Sequence, residues 1–283
     1  MEHAVNAKRL PLLSLLLALT LACGPGMRGN GTKVTRVHEL SNFDALENTT
    51  SLDVVLHRGS EDFRVDVFLD ENLQDAVQLE IADGALRIDT STSWLDYDGE
   101  GRVDVYLPRV RRVELTGSGD LRAEGSQAPE ALVIESSGSG DLELCGGMLS
   151  LDVKLSGSGD IGTCAGDGAA VETLALRSVG SGDFTWTGEL GTAEVTLVGS
   201  GAATLRGAGT RLKGTVEGSG SLDAGALPVH DAALHNSGSG LIRATVNGGV
   251  ASVRIDGSGD VELSGDGTVD VVGNAGSGKL IRR

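Results

Sequence analysis

From residue 117 onward, apolar and polar residues alternate in short runs, and the runs stop at glycine. Leu149, Leu151, Val153 and Leu155 mark one run, Val195 and Leu197 another. A period of two puts every second side chain on one face, so the runs predict strands with one buried face. No stretch of this region carries a 3.6-residue stripe, and no helix is expected in it. The punctuation is regular. Gly-Ser-Gly recurs at residues 117, 138, 157, 180, 199, 218, 238, 257 and 276, at spacings of 21, 19, 23, 19, 19, 20, 19 and 19. Four residues after each first glycine stands an apolar residue: Leu121, Leu142, Ile161, Phe184, Ala203, Leu222, Ile242, Val261 and Leu280. A linker of biased composition does not keep such a register. Two short strands and two glycine turns per repeat make one coil of a solenoid. The expected fold is therefore all-β, a right-handed parallel β-helix of coils of about 20 residues.

The glycines suit turns that need positive φ or close approach to the next coil. Coils stacked about 4.8 Å apart would align Ser118, Ser139, Ser158, Ser181 and their successors as a hydroxyl ladder. Residues 37–116 are β-rich but irregular, with strand-like runs at 52–56, 63–69, 77–81, 86–89 and 103–107. Asp83-Gly84 between two of these runs signals a tight hairpin. This region is read as an N-terminal cap with the first, degenerate coils, shielding the open end of the solenoid. At the other end, Lys279, Arg282 and Arg283 put charge on an exposed edge.

The chain starts differently. Lys8 and Arg9 precede Leu10 to Ala22, an almost wholly apolar run of 13 residues. A membrane-spanning helix needs about 20 such residues, so the run reads as the core of an export signal. Leu19-Thr20-Leu21-Ala22-Cys23 resembles the bacterial lipobox, which implies cleavage after Ala22, lipidation of Cys23 and attachment to the membrane through that anchor. Gly24 after the cysteine is similar to signals for the outer membrane, facing periplasm or cell surface. The organisation is then a signal peptide at 1–22, lipidated Cys23 with a flexible tether at 23–36, the cap at 37–116, and the regular solenoid at 117–283.

Composition narrows the partners. With 40 acidic and 23 basic residues the net charge is -17, which argues against nucleic acid and anionic lipid surfaces. Aromatic residues are 3%, too few for a row of stacking subsites, while 40% hydrophobic residues exclude disorder. No cofactor is implied.

Candidate chemistry is sparse. Asp120, Asp141, Asp160 and Asp183 follow consecutive Gly-Ser-Gly motifs and should stack. Carboxylates about 5 Å apart repel by roughly 1 kcal/mol even in water. They either cap turns and face solvent, or share a hard cation such as calcium. Gly273 to Leu280 lacks the Ser/Thr and the following helix of a phosphate-binding loop. His230 and His235 fall in a loop-like stretch with Pro228, without metal-ligand spacing. No serine sits in a nucleophile-elbow context, and short uniform turns leave no walls for a cleft. Cys145 and Cys164 each lie seven residues after the first glycine of their motif. Stacked about 4.8 Å apart, they are placed for a disulfide in an oxidising compartment, or else pack as free thiols.

Phe43-Asp44-Ala45-Leu46, Leu52 to Leu56, Val103 to Pro108 and Leu115 to Asp120 with its recurring GSGD resemble the bacterial "putative auto-transporter adhesin, head GIN domain" family, a domain of unknown function. The resemblance spans about residues 37–283. It implies an exported β-helical domain, often a lipoprotein, with no catalytic residues to carry over. A non-enzymatic envelope module for adhesion or structure is expected, with envelope glycans or surface proteins as candidate partners. The rival reading is a polysaccharide-acting β-helix enzyme or a calcium-dependent glycan binder.

Overall fold

The apolar residues that follow the nine Gly-Ser-Gly motifs form one continuous inward row. Leu121 pairs in register with Leu142, Leu142 with Ile161, Ile161 with Phe184, and so on through Ala203, Leu222, Ile242 and Val261 to Leu280. All of these pairings are parallel. The computed structural model describes residues 26–92, 94–125, 130–164 and 169–283. Within them the chain winds as a β-solenoid whose core is a column of buried Leu, Val, Ile and Ala. Each fully buried aliphatic side chain contributes about 1.5–3 kcal/mol, so repetition of one row supplies the cohesion that few aromatics could not. In the strands Phe184–Leu197 and Ala203–Val216 a single strand covers both sides of a coil. They pair with each other almost end to end.

The turn chemistry explains the motif. A side chain at Gly138 would collide with the carbonyl oxygen of Gly117 in the coil before, and the same relation holds from Gly157 back to Gly138. Glycine is required because successive turns lie directly on one another. Buried asparagines brace some turns from inside. Asn236 accepts the Gly238 N–H at 3.2 Å and donates to the Gly240 carbonyl at 2.8 Å.

The coils are not stacked in chain order. Strands Ala45–Asn48 and Asp53–Arg58 form the first coil, yet they lie between the coil of residues 85–107 and that of residues 112–125. The excursion between them builds the cap. Arg64–Asp70 pairs antiparallel with Arg102–Leu107, and Val77–Ala82 with Ala85–Thr90, across the Asp83-Gly84 hairpin where both residues have positive φ. A 3-10 turn, Glu71–Ala76, plugs the end with buried Leu73 and Ala76. Its Gln74 donates to the carbonyls of Val34 and Val67, both at 3.0 Å.

Two expectations need correction. The stretch 23–36 is not a free tether over its described part. Met27–Arg28 pairs with Leu95–Asp96, and Lys33–His38 runs antiparallel to Arg64–Asp70. Pro228 is not in a loop either, but near the end of the strand Leu222–Val229, where the register shifts against the next coil. A proline lacks the N–H that a regular ladder needs, and the irregularity accommodates it.

Candidate functional site

From Asp53 to Asp183 the fourth position of the motif is a continuous hydrogen-bonded column. Each aspartate carboxylate accepts the backbone N–H of the same position one coil on. Asp120 accepts from Asp141 at 2.8 Å, Asp141 from Asp160 at 2.8 Å, Asp160 from Asp183 at 2.7 Å, and Asp183 from Ala202 at 2.7 Å. Asp53 starts the column by accepting from Asp120 at 3.0 Å. The turn needs this acceptor because the N–H at the corner points along the stack rather than across a sheet, and ionised acceptors make the stronger bonds. Sequence reasoning placed four of these five aspartates. It missed Asp53, because Thr50-Ser51-Leu52-Asp53 is a turn of the same kind without its glycines.

The acidic column forms one wall of a groove of about 790 Å³. Arg122 and Glu143, paired between adjacent coils, also line it, as do Phe68 and residues 99–102 of the cap. Among the described residues no group of three or more His, Cys, Asp or Glu side chains is placed to hold a metal ion. The serines of the motif stand exposed along the same edge. Ser239 donates to Ser219 at 3.2 Å, and the other bonds along this edge are chiefly those of the backbone. The outer faces carry ion pairs that bridge coils, among them Lys154 with Glu135 at 2.6 Å and Lys213 with Glu194 at 2.6 Å. Hydrogen bonding from Lys154 holds the Glu135 carboxyl below its ordinary range.

Cys145 and Cys164 occupy equal positions in adjacent coils, with Cα atoms 4.9 Å apart and a disulfide between them. The carbonyl of Cys145 accepts a bond from Arg58, whose guanidinium is buried and reaches across a coil. Burial pushes the Arg58 guanidinium down from its ordinary value. His57 stacks on Tyr106 with ring centroids 4.2 Å apart, its ring nitrogens 3.2 Å from Asp104 and 3.3 Å from Glu124. His235 pairs with Asp256 at 3.0 Å. Cys23 and the apolar run read as an export signal lie outside the described residues. No helix among the described residues is long and apolar enough to cross a membrane.

A capped parallel β-solenoid with an aspartate column along its turn edge is thus the class of protein that fold and site define. The chain belongs to the family described as "Putative auto-transporter adhesin, head GIN domain", whose model matches residues 42–167 and 162–267. Among solved structures it is similar to a putative adhesin from Parabacteroides distasonis, with 18% identity, a TM-score of 0.71, and 92% of this chain and 100% of that one covered. A putative adhesin from Parabacteroides merdae matches with 19% identity and a TM-score of 0.66, over 91% of this chain and 99% of that one. A putative lipid binding protein from Parabacteroides distasonis matches with 22% identity and a TM-score of 0.65, over 92% of this chain and 100% of that one. These likenesses establish the shared fold. No curated protein matches the chain.

Proposed function

We propose that the protein is an exported, lipid-anchored module of the cell envelope that binds through its surface and catalyses no reaction. The observation that carries this reading is the uniformity of the turn edge. One short turn repeats along the solenoid, its aspartates engaged by backbone N–H groups. Such an edge offers repeated contacts to a surface partner, and the grooves along it are open to solvent rather than enclosed. Family membership and the fold of the adhesin structures support the same reading, and the lipobox-like Leu19 to Cys23 supports the anchor.

The reading is tested in cells. Cys23→Ser releases the protein from the membrane fraction and abolishes labelling with fatty acid, while unchanged fractionation would count against the anchor. Protease added to intact cells reports which side of the outer membrane the solenoid faces. Turnover of any polyuronate by the purified chain would overturn the non-catalytic reading. Calcium-dependent binding in calorimetry would replace it with that of a calcium-dependent binder.

A further inference from the structure

At the cap end of the turn edge lies a second groove, of about 530 Å³. Its wall is unlike the others. The groove beside the aspartate column is lined by carboxylates, and one on the third side of the coils contains Glu172 and Glu189. Here, in a chain of net charge -17, no lining residue is ionisable. Three successive coils instead present two rows of hydroxyls, Ser51, Ser118 and Ser139 in one, Thr49, Thr116 and Ser137 in the other. All six residues are exposed. The Thr49 hydroxyl donates to the Ile88 carbonyl at 3.2 Å and to the Asp89 carboxylate, outside the lining, at 3.1 Å, whereas the hydroxyls of the other five have no partner among the described residues.

Beside the rows stands Trp94, 47% exposed. It belongs to the longer connection between the strands Ala85–Thr90 and Arg102–Leu107 of the outermost coil, of which residues 94–101 carry it onward to the second strand. The ring is held in place from behind. Gly26 passes so close to the fused bond of the indole that any side chain there would collide with it, and the Met27 N–H donates to the Trp94 carbonyl at 3.2 Å. An oriented, half-exposed indole next to unpaired hydroxyls matches one ligand chemistry. A pyranose ring has an apolar C–H face that packs on an aromatic ring, and a rim of hydroxyls that both donate and accept. The low aromatic content excludes a row of such platforms, not a single one. The acidic body disfavours an anionic glycan.

We propose that the groove between Trp94 and the hydroxyl rows of the first three turns binds uncharged polysaccharide, with a sugar ring stacked on the indole and its hydroxyls bonded to Ser51, Ser118 and Ser139. The serine row continues through Ser158 and Ser181. A polymer lying along the solenoid therefore meets further hydroxyls at each coil. This site rests on the reading of the protein as a non-catalytic binding module and names the chemistry of its partner.

The chain has two tryptophans, and the other, Trp186, is fully buried, so a change in indole emission on titration reports Trp94. The full-length protein in detergent is titrated with cellohexaose, maltohexaose and laminarihexaose, with hexagalacturonate as the charged control. The expected result is saturable binding of at least one neutral hexamer and none of the acidic one. Binding by the variants is read by calorimetry, because replacing Trp94 removes the reporter: Trp94→Ala weakens it at least tenfold, Trp94→Phe restores most of it, and Ser118→Ala with Ser139→Ala weakens it severalfold at unchanged Tm. Failure of all three neutral hexamers to bind, or equal binding by Trp94→Ala, overturns the site. A blue shift of Trp94 with zwitterionic lipid vesicles and none with sugar assigns the indole to the membrane surface, and overturns it too. Adherence of cells that survives Trp94→Ala leaves the binding-module reading standing while the site falls. Polyuronate turnover removes the reading itself.

Discussion

The carboxylate of Asp120 accepts the backbone N–H of Asp141, one coil further on, at 2.8 Å. The bond binds one coil to the next, so its loss should be felt as stability. Asp141→Ala leaves the Asp160 N–H without its acceptor and should cost about 1 kcal/mol, lowering Tm by about 2–4 °C. Asp141→Asn keeps an acceptor and should recover much of the loss. Thermal unfolding followed by circular dichroism reads both, and equal Tm values for Ala and wild type would remove the structural role given to the column.

The glycines divide into those that are squeezed and those that are not. Gly138→Ala drives a methyl group into the Gly117 carbonyl and should cost about 2–3 kcal/mol by displacing backbone. Gly273 has nothing within 4 Å of where its side chain would be, so Gly273→Ala should shift stability by less than about 0.5 kcal/mol. Urea midpoints of the two variants should differ accordingly. A cost at Gly273 equal to that at Gly138 would point to flexibility, rather than stacking, as the reason for glycine.

For Cys145 and Cys164 the expected state is oxidised if the proposed export holds. A bridge spanning 19 residues stabilises by about 3 kcal/mol in the chain-entropy account, so reductant should lower the unfolding midpoint. Peptide mapping under non-reducing conditions checks the link directly. Two freely alkylatable thiols would rule the bridge out.

One cluster near the last coil sets a pH dependence. Arg243 foremost, with Arg283 beside it, holds the Glu262 carboxyl below its ordinary 4.5. A carboxyl depressed in the folded state contributes stability that is present above its unfolded pKa and lost as pH falls through the folded value. Glu262→Gln should therefore be less stable than wild type at neutral pH, with the difference shrinking toward pH 3. Urea midpoints across that range check it. A gap that persists undiminished in acid would assign the effect to packing.

The solenoid was legible because its coils are copies. Register followed from the spacing of Gly-Ser-Gly alone, which aligned Asp120 with Asp141 and placed Cys145 beside Cys164 before any coordinates. The cap was legible only as strands. Thr50-Ser51-Leu52-Asp53 carries no glycine: Thr50 and Leu52 have buried side chains where the turns stacked after it need glycine, as at Gly117 and Gly119. The first copy of the motif was thereby disguised, and with it the placement of the first coil inside the stack. Antiparallel pairing of Lys33–His38 is a long-range choice that local alternation does not encode. Trp94 gave no periodic signal at all.

The same register constrains how the molecule can change length. Apart from Arg58, which reaches past one coil to the Cys145 carbonyl, the coils pair with their two neighbours, and each contact in the regular region is a near copy of the last. Removing the nineteen residues from Gly199 to Glu217 would bring Gly218 onto Gly180 in the relation it already has with Gly199. Removing five would turn inward-facing residues outward along a whole coil. Duplications and deletions in such a gene should thus be tolerated best as whole coils, whose lengths here run from 19 to 23 residues, and the reach of the solenoid can be lengthened or trimmed in that way while its cap stays untouched.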